Sequence, residues 1–303
     1  MKSMPTTLIS GVPHVYDLTA PTSPNSETLV FVHGWMLSRN YWQPLIDRLS
    51  KDYQCLSYDL RGFGESQPCR DLSPLPKIQA TGSVAIAVQQ SVAQQYSLLS
   101  YARDLSLLLK QLQISKAWLV GHSLGGYVGL WAADQMPEQV QGVICLNSGG
   151  GIYLKEAFER FRSAGQQIVK FRPKWLLQVP GLDLVFTRAN VVQAMARSWG
   201  RQRVIDFINA DAEAALGTLL DSTTEAEVHR LPQVVTRLSQ PIYFVAGAKD
   251  TVMEPKYVRH LASFHPRFGK GADNVLEIPD CGHLSMLEQT NVVESHIRQI
   301  LRS

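Results

Sequence analysis

Three side chains of complementary chemistry stand far apart in this chain: Ser123, Asp250 and His283. Ser123 lies within Gly121-His122-Ser123-Leu124-Gly125-Gly126. Asp250 closes the run Ala246-Gly247-Ala248-Lys249-Asp250, and His283 follows Asp280-Cys281-Gly282. A serine hydroxyl is a poor nucleophile at neutral pH and needs an adjacent base. A histidine supplies that base when a carboxylate fixes its tautomer and stabilises the imidazolium. The chemistry implied is attack on a carbonyl carbon by Ser123, with its proton passed to His283 and Asp250 orienting the ring. Glu254 and Asp280 are fallback acids, read more simply as solvated loop charges.

These residues need elements that bring them together. Residues 117–120 form a short apolar run, and from Gly126 onward the chain suits a buried helix. Strand, tight turn and helix then follow one another with Ser123 at the apex. Glycine two places before and two places after the serine avoids collision with neighbouring backbone. The hydroxyl is pushed out at the start of the helix, where the Leu124 N–H and the helix dipole can meet a developing oxyanion. Gly-x-Ser-x-Gly alone also describes an ordinary glycine-rich turn, so the rest of the chain must decide.

Apolar strand-like runs occur at 12–20, 28–33, 53–60, 140–147, 241–247 and 274–279. Helical patterns occur near 41–51, 96–113 and 285–301. Residues 67–95 are harder: prolines at 68, 74 and 76 argue for irregular chain, while 82–94 has a composition suited to a helix. The alternation predicts an α/β fold, a mainly parallel central sheet flanked by helices. Residues 1–148 and 236–303 would form its core. Residues 149–235 break the alternation and read as an inserted helical cap over the carboxyl edge of the sheet, where open α/β sheets carry their sites.

The ordered set of motifs resembles the α/β-hydrolase superfamily over nearly the whole chain, residues 12–301. His33-Gly34-Trp35 resembles that family's turn after the third strand, Asp59-Leu60-Arg61-Gly62-Phe63-Gly64-Glu65-Ser66 its Asp-x-Arg-Gly-x-Gly-x-Ser run, and Gly121 to Gly126 its nucleophile elbow. The stretch ending at Asp250 and Gly282-His283 resemble its acid and base loops. The resemblance implies a serine hydrolase of the esterase or lipase kind with a helical cap. By that match the Trp35 N–H joins that of Leu124 in the oxyanion hole, His33 is structural, and Arg61 pairs locally. The 67–95 insertion is longer than most members carry.

Composition bounds the rest. With 303 residues, 45% hydrophobic, the chain can bury a large core. A net charge of +3 is too mild to argue for nucleic acid. The four cysteines, Cys55, Cys69, Cys145 and Cys281, form no Cys-x-x-Cys pair, which fits a reducing compartment and the cytoplasm. The amino terminus lacks an apolar signal region. No metal or organic cofactor is implied. His14, His229, His260, His265 and His296 show no ligand spacing and read as surface or boundary residues, and Cys281 as a packed thiol sensitive to alkylation.

The expected substrate is a carboxylic ester with an apolar moiety. His122, Trp175, Leu176, Leu182 and Phe186 are the candidate pocket residues. Basic residues Lys170, Arg172, Lys174, Arg188 and Arg197 surround the cap's apolar set; its simplest role is packing, and a second reading has it meet a membrane surface. Exposed cap arginines are expected to add little for anionic esters, because salt screens them. Two rivals share the apparatus: a thioesterase or carbon–carbon bond hydrolase, and a ligand-binding receptor with little turnover.

Overall fold

The computed structural model describes residues 4–23, 27–68, 94–149, 155–269 and 274–302. Eight strands are present among these residues: β1 (Thr6–Ile9), β2 (Val12–Leu18), β3 (Thr28–Val32), β4 (Gln54–Tyr58), β5 (Ala117–His122), β6 (Val140–Leu146), β7 (Ile242–Gly247) and β8 (Val275–Ile278). They form one sheet in the order β1-β2-β4-β3-β5-β6-β7-β8. The β1–β2 and β2–β4 pairings are antiparallel, and every pairing from β4 across to β8 is parallel.

Side chains alternate across this sheet as a pleated strand requires. Val30, Val32 and Leu119 belong to one buried cluster, with Leu105 and Val128 from the covering helices. Leu29, Phe31, Trp118 and Val120 belong to a second, with Leu45, Val293 and Ile297. Both faces are therefore covered. The first cover includes α2 (Leu98–Gln111) and α3 (Leu124–Gln135); the second includes α1 (Gln43–Leu49) and α11 (Thr290–Leu301). Between β6 and β7 lie α4 (Lys155–Lys170), α5 (Leu182–Phe186), α6 (Arg197–Asn209), α7 (Ala212–Ser222) and α8 (Glu225–Arg237), with no strand among the described residues. Two further helices, α9 (Pro255–Ala262) and α10 (Ser285–Glu288), flank β8.

Three sequence expectations change. The first strand is β1, whose hairpin to β2 turns on Ser10 and Gly11 at φ of 51° and 79°. Its four residues alternate too briefly to register as a strand. Arg61 does not pair locally: its Nε lies 3.2 Å from Asp104 of α2, and its Nη2 reaches Ser100 Oγ at 2.7 Å. Asp59 instead binds Arg39, and Gly64 is required because a Cβ there would fall 2.4 Å from the Asp59 carboxyl carbon. His14 and His265 are buried rather than peripheral. The helical reading of 82–94, most of the 67–95 insertion and Cys69 lie outside the described residues.

Candidate active site

Ser123 caps α3 with a φ of 51° and ψ of −117°. Its N–H is held by Leu146 O at 2.9 Å, and its carbonyl accepts from Gly126 N at 3.0 Å. The glycines around it have steric causes. A Cβ at Gly121 would lie 2.2 Å from Gly125 O. One at Gly125 would lie 2.1 Å from Val32 O, so the first turn of α3 is pressed against the end of β3. That approach sets the Gly34-Trp35 turn beside the elbow. Among the described residues neither the Leu124 nor the Trp35 N–H has a hydrogen-bond partner. The Trp35 indole points the other way and donates to Ala215 O of α7 at 2.9 Å.

The carboxyl ends of β7 and β8 bring Asp250 and His283 together. His283 Nδ1 donates to Asp250 Oδ2 at 2.8 Å. The same oxygen accepts from Asn147 Nδ2 at 2.9 Å, and Oδ1 accepts from the N–H groups of Val252 and Met253 at 2.8 and 2.9 Å. Burial alone would push the Asp250 carboxyl up, but His283 and the other donors hold it below the usual carboxylate range. Asn147 also donates to Gly282 O at 2.9 Å, tying the base loop to β6.

The base loop is clamped from both sides. Its His283 N–H donates to Asn190 O at 2.8 Å. Glu288 accepts from Gly282 N at 3.1 Å, Leu284 N at 3.2 Å and Val192 N at 2.7 Å. His122 Nε2–H donates to the His283 carbonyl at 2.7 Å, leaving its Nδ1 an acceptor without a partner among the described residues. Burial, and next His283 itself, hold the His122 pKa down to about 3, so this ring is neutral. His33 accepts from Leu60 N at 2.9 Å through Nε2 and donates through Nδ1 to Gly34 O, a structural arrangement.

Ser123, His283, His122, Trp35 and Leu124 line one cavity of about 390 Å³. Among the described residues no hydrogen bond joins Ser123 to His283; what they share is the cavity wall. The segment between β6 and β7 contributes Ile168, Asn190, Arg203, Leu219 and Thr223. Trp175, Leu176, Leu182 and Phe186 are not in that wall. Trp175 is 58% exposed, and Phe186 packs its ring 5.7 Å from that of Phe207. Amphipathic spacing identified an apolar set but not which side of it faces the sheet. Glu254 and Asp280 pair with Lys256 and Lys249 in solvent, at 2.8 and 2.6 Å. Cys281 is fully buried, and burial pushes its thiol up to about 12, as for a packed thiol.

Asn147, Asn190, Glu288 and Arg203 were not foreseen from sequence. Asn147 left a signal in the sequence, an asparagine directly after an apolar strand; it and Asn190 sit at φ of 47° and 60°, where that residue type is favoured. Among the described residues no group of three or more His, Cys, Asp or Glu side chains could hold a metal ion, and no helix is long and apolar enough to cross a membrane.

Residues 27–290 match the family model described as alpha/beta hydrolase fold. An uncharacterized hydrolase of Bacillus subtilis (strain 168), YugF, is 25% identical over 288 residues, 92% of this chain and 92% of its own length. A 2-succinyl-6-hydroxy-2,4-cyclohexadiene-1-carboxylate synthase of Enterobacter sp. (strain 638) is 26% identical over 94% of this chain and 95% of its own. Among solved structures, a thermophilic esterase from Thermogutta terrifontis superposes with a TM-score of 0.66 at 23% identity, covering 99% of this chain and 97% of its own. The enol-lactonase from Burkholderia xenovorans LB400 gives 0.70 at 19%, covering 99% and 100%.

Proposed function

Since the chain belongs to the alpha/beta hydrolase fold family and is an enzyme of that family, we propose that it cleaves a carboxylic ester with an apolar moiety through Ser123, His283 and Asp250. The observation that carries this reading is the Asp250–His283 hydrogen bond opening onto the same cavity as a serine held at positive φ. Ser123 attacks the carbonyl carbon while His283 Nε2 takes its proton. The N–H groups of Leu124 and Trp35 receive the oxyanion. His283 returns the proton to the leaving alkoxide, and an acyl-enzyme remains. Water, deprotonated by His283, then attacks the acyl carbon; the bond to Ser123 Oγ breaks, His283 returns the proton to Oγ, and the acid leaves. Separation of Ser123 from His283 in the free site is compatible with this sequence, since catalytic hydrogen bonds tighten when substrate binds. The mostly apolar wall supports the apolar moiety, and buried free cysteines support a reducing, cytoplasmic setting.

The test is Ser123→Ala. It should abolish labelling by a fluorophosphonate and lower kcat on p-nitrophenyl butyrate by roughly 10⁴-fold or more, because nucleophile and base act as a unit. Turnover near the wild-type rate would end the serine-hydrolase reading. Likeness to the Enterobacter synthase supports a second reading, carbon–carbon bond chemistry by the same three residues, which a panel of esters, thioesters and diketones would separate. Exposed apolar side chains, Phe171 at 75% and Trp175 at 58%, next to Lys170 and Lys174, support peripheral membrane contact, to be read by vesicle co-sedimentation.

A further inference from the structure

Among the described residues three arginines are buried: Arg39, Arg61 and Arg203. Arg39 meets Asp17, Asp59 and Glu65, and Arg61 meets Asp104. Arg203, on α6, has no carboxylate within ion-pair distance among those residues. Its Nη1 donates to the carbonyls of Phe186 and Ala189, the latter at 2.7 Å, and its guanidinium lies 5.7 Å from the Phe186 ring centre. Its Nε and Nη2 have no hydrogen-bond partner among the described residues. Glu288 is close enough for its charge to be felt, but its oxygens are occupied by backbone N–H groups of the base loop and of Val192.

Arg203 lines the same cavity as Ser123 and His283. A buried guanidinium with no ion-paired carboxylate among the described residues, and only the more distant Glu288 to offset it, is stabilised by an anion brought to it. Nε and Nη2, without a partner among the described residues, form one edge of the guanidinium, the side-on fork that matches the two oxygens of a carboxylate. Much of the remaining wall is apolar, with Ile168, Leu219, Val252 and Leu284. Resting on the hydrolase reading above, we infer that Arg203 binds a carboxylate of the substrate, so that the substrate class is an ester with an apolar body and a free carboxylate. The exposed cap arginines are screened by salt; Arg203, enclosed in the cavity wall, is not.

The matched pair monomethyl adipate and dimethyl adipate differs in one carboxylate and tests this directly. The wild-type enzyme, followed by pH-stat, should favour the monomethyl ester in kcat/KM by roughly tenfold to a hundredfold, the range of a hydrogen-bonded charge pair. Arg203→Gln removes the charge and shortens the side chain, and a thermal melt on the same preparation checks that the fold survives the loss of the Phe186 and Ala189 contacts. In that variant the mono-to-diester ratio should fall at least tenfold, while Arg203→Lys should keep part of it. A wild-type preference for the diester, or a ratio that Arg203→Gln leaves unmoved in a folded protein, overturns the carboxylate site and leaves the hydrolase reading standing. If neither ester is cleaved and Ser123 takes no fluorophosphonate, the hydrolase reading fails instead. Calorimetric titration of the Ser123→Ala protein then decides the site alone: tighter binding of the monomethyl ester supports it, and equal or weaker binding overturns it.

Discussion

Asp250→Asn replaces an acceptor-only group that serves four donors. In the native site Oδ2 takes His283 Nδ1–H and Asn147 Nδ2–H, and Oδ1 takes the backbone N–H groups of Val252 and Met253. An amide has one acceptor oxygen, so one of these two pairs must face an NH₂. The backbone pair cannot rotate away, and leaving two buried N–H groups unpaired costs about 1–3 kcal/mol each. The amide oxygen therefore stays with Val252 and Met253, and its NH₂ faces His283. The imidazole must then accept at Nδ1 and carry its proton on Nε2, the nitrogen that should receive the serine proton. The imidazolium also loses its adjacent negative charge. The expected loss in kcat is roughly 10⁴-fold, about 5.5 kcal/mol of transition-state stabilisation. The assay is p-nitrophenyl butyrate hydrolysis with a thermal melt on the same preparation. Glu254→Gln and Asp280→Asn are the controls; both carboxylates are solvent-exposed lysine partners and should stay within about twofold of wild type. Activity of Asp250→Asn within tenfold of wild type, or a larger loss in either control, would refute the assignment of the acid.

Gly125→Ala should lower the urea unfolding free energy by about 2 kcal/mol or more, since its Cβ would sit 2.1 Å from a backbone carbonyl that cannot give way. Leu219→Ala opens the cavity wall and should move the preferred acyl chain to longer lengths, each further buried methylene adding about 0.8 kcal/mol, roughly fourfold in kcat/KM. Trp175→Ala, outside the wall, should leave that chain-length series where it was. Burial pushes the Asp206 carboxyl from 3.8 up to about 7, so the folded state holds its proton more tightly than the unfolded state. Its contribution to stability therefore falls as pH rises from about 4 through about 7 and levels off above. Measured by urea titration at pH 5 and pH 8, Asp206→Asn should gain on wild type by about 2 to 3 kcal/mol between the two.

The elbow was readable because its cause is local: Gly121 and Gly125 are demanded by backbone within a few residues or by the adjacent strand. The positions of seven strands along the chain and the loops at their carboxyl ends followed from compact apolar runs separated by helical patterns, which are legible without knowledge of the neighbours, whereas the order of the strands across the sheet was not. Nor was the burial of a single polar side chain. Arg203 sits in Arg197-Ser-Trp-Gly-Arg-Gln-Arg203, which reads as a charged helix surface, and only the packing of α6 over the cavity distinguishes Arg203 from the exposed Arg197 and Arg201. Trp175 failed in the opposite sense, an apolar residue expected inside that faces solvent. A helix pattern defines a face, and tertiary contacts decide what it faces. Glu288 was invisible for a third reason: its partners are backbone N–H groups, which every residue type presents.

The φ of 51° and ψ of −117° at Ser123 also bear on how this protein could change over time. A residue with a Cβ held in such backbone stores about 1–3 kcal/mol of strain, which the rest of the fold must outweigh. Glycine would occupy the position without that penalty, and the domain would be more stable and chemically silent. Stability and turnover are thus opposed at one residue, and a chain drifting under demand for folding alone would be expected to lose its nucleophile before its core.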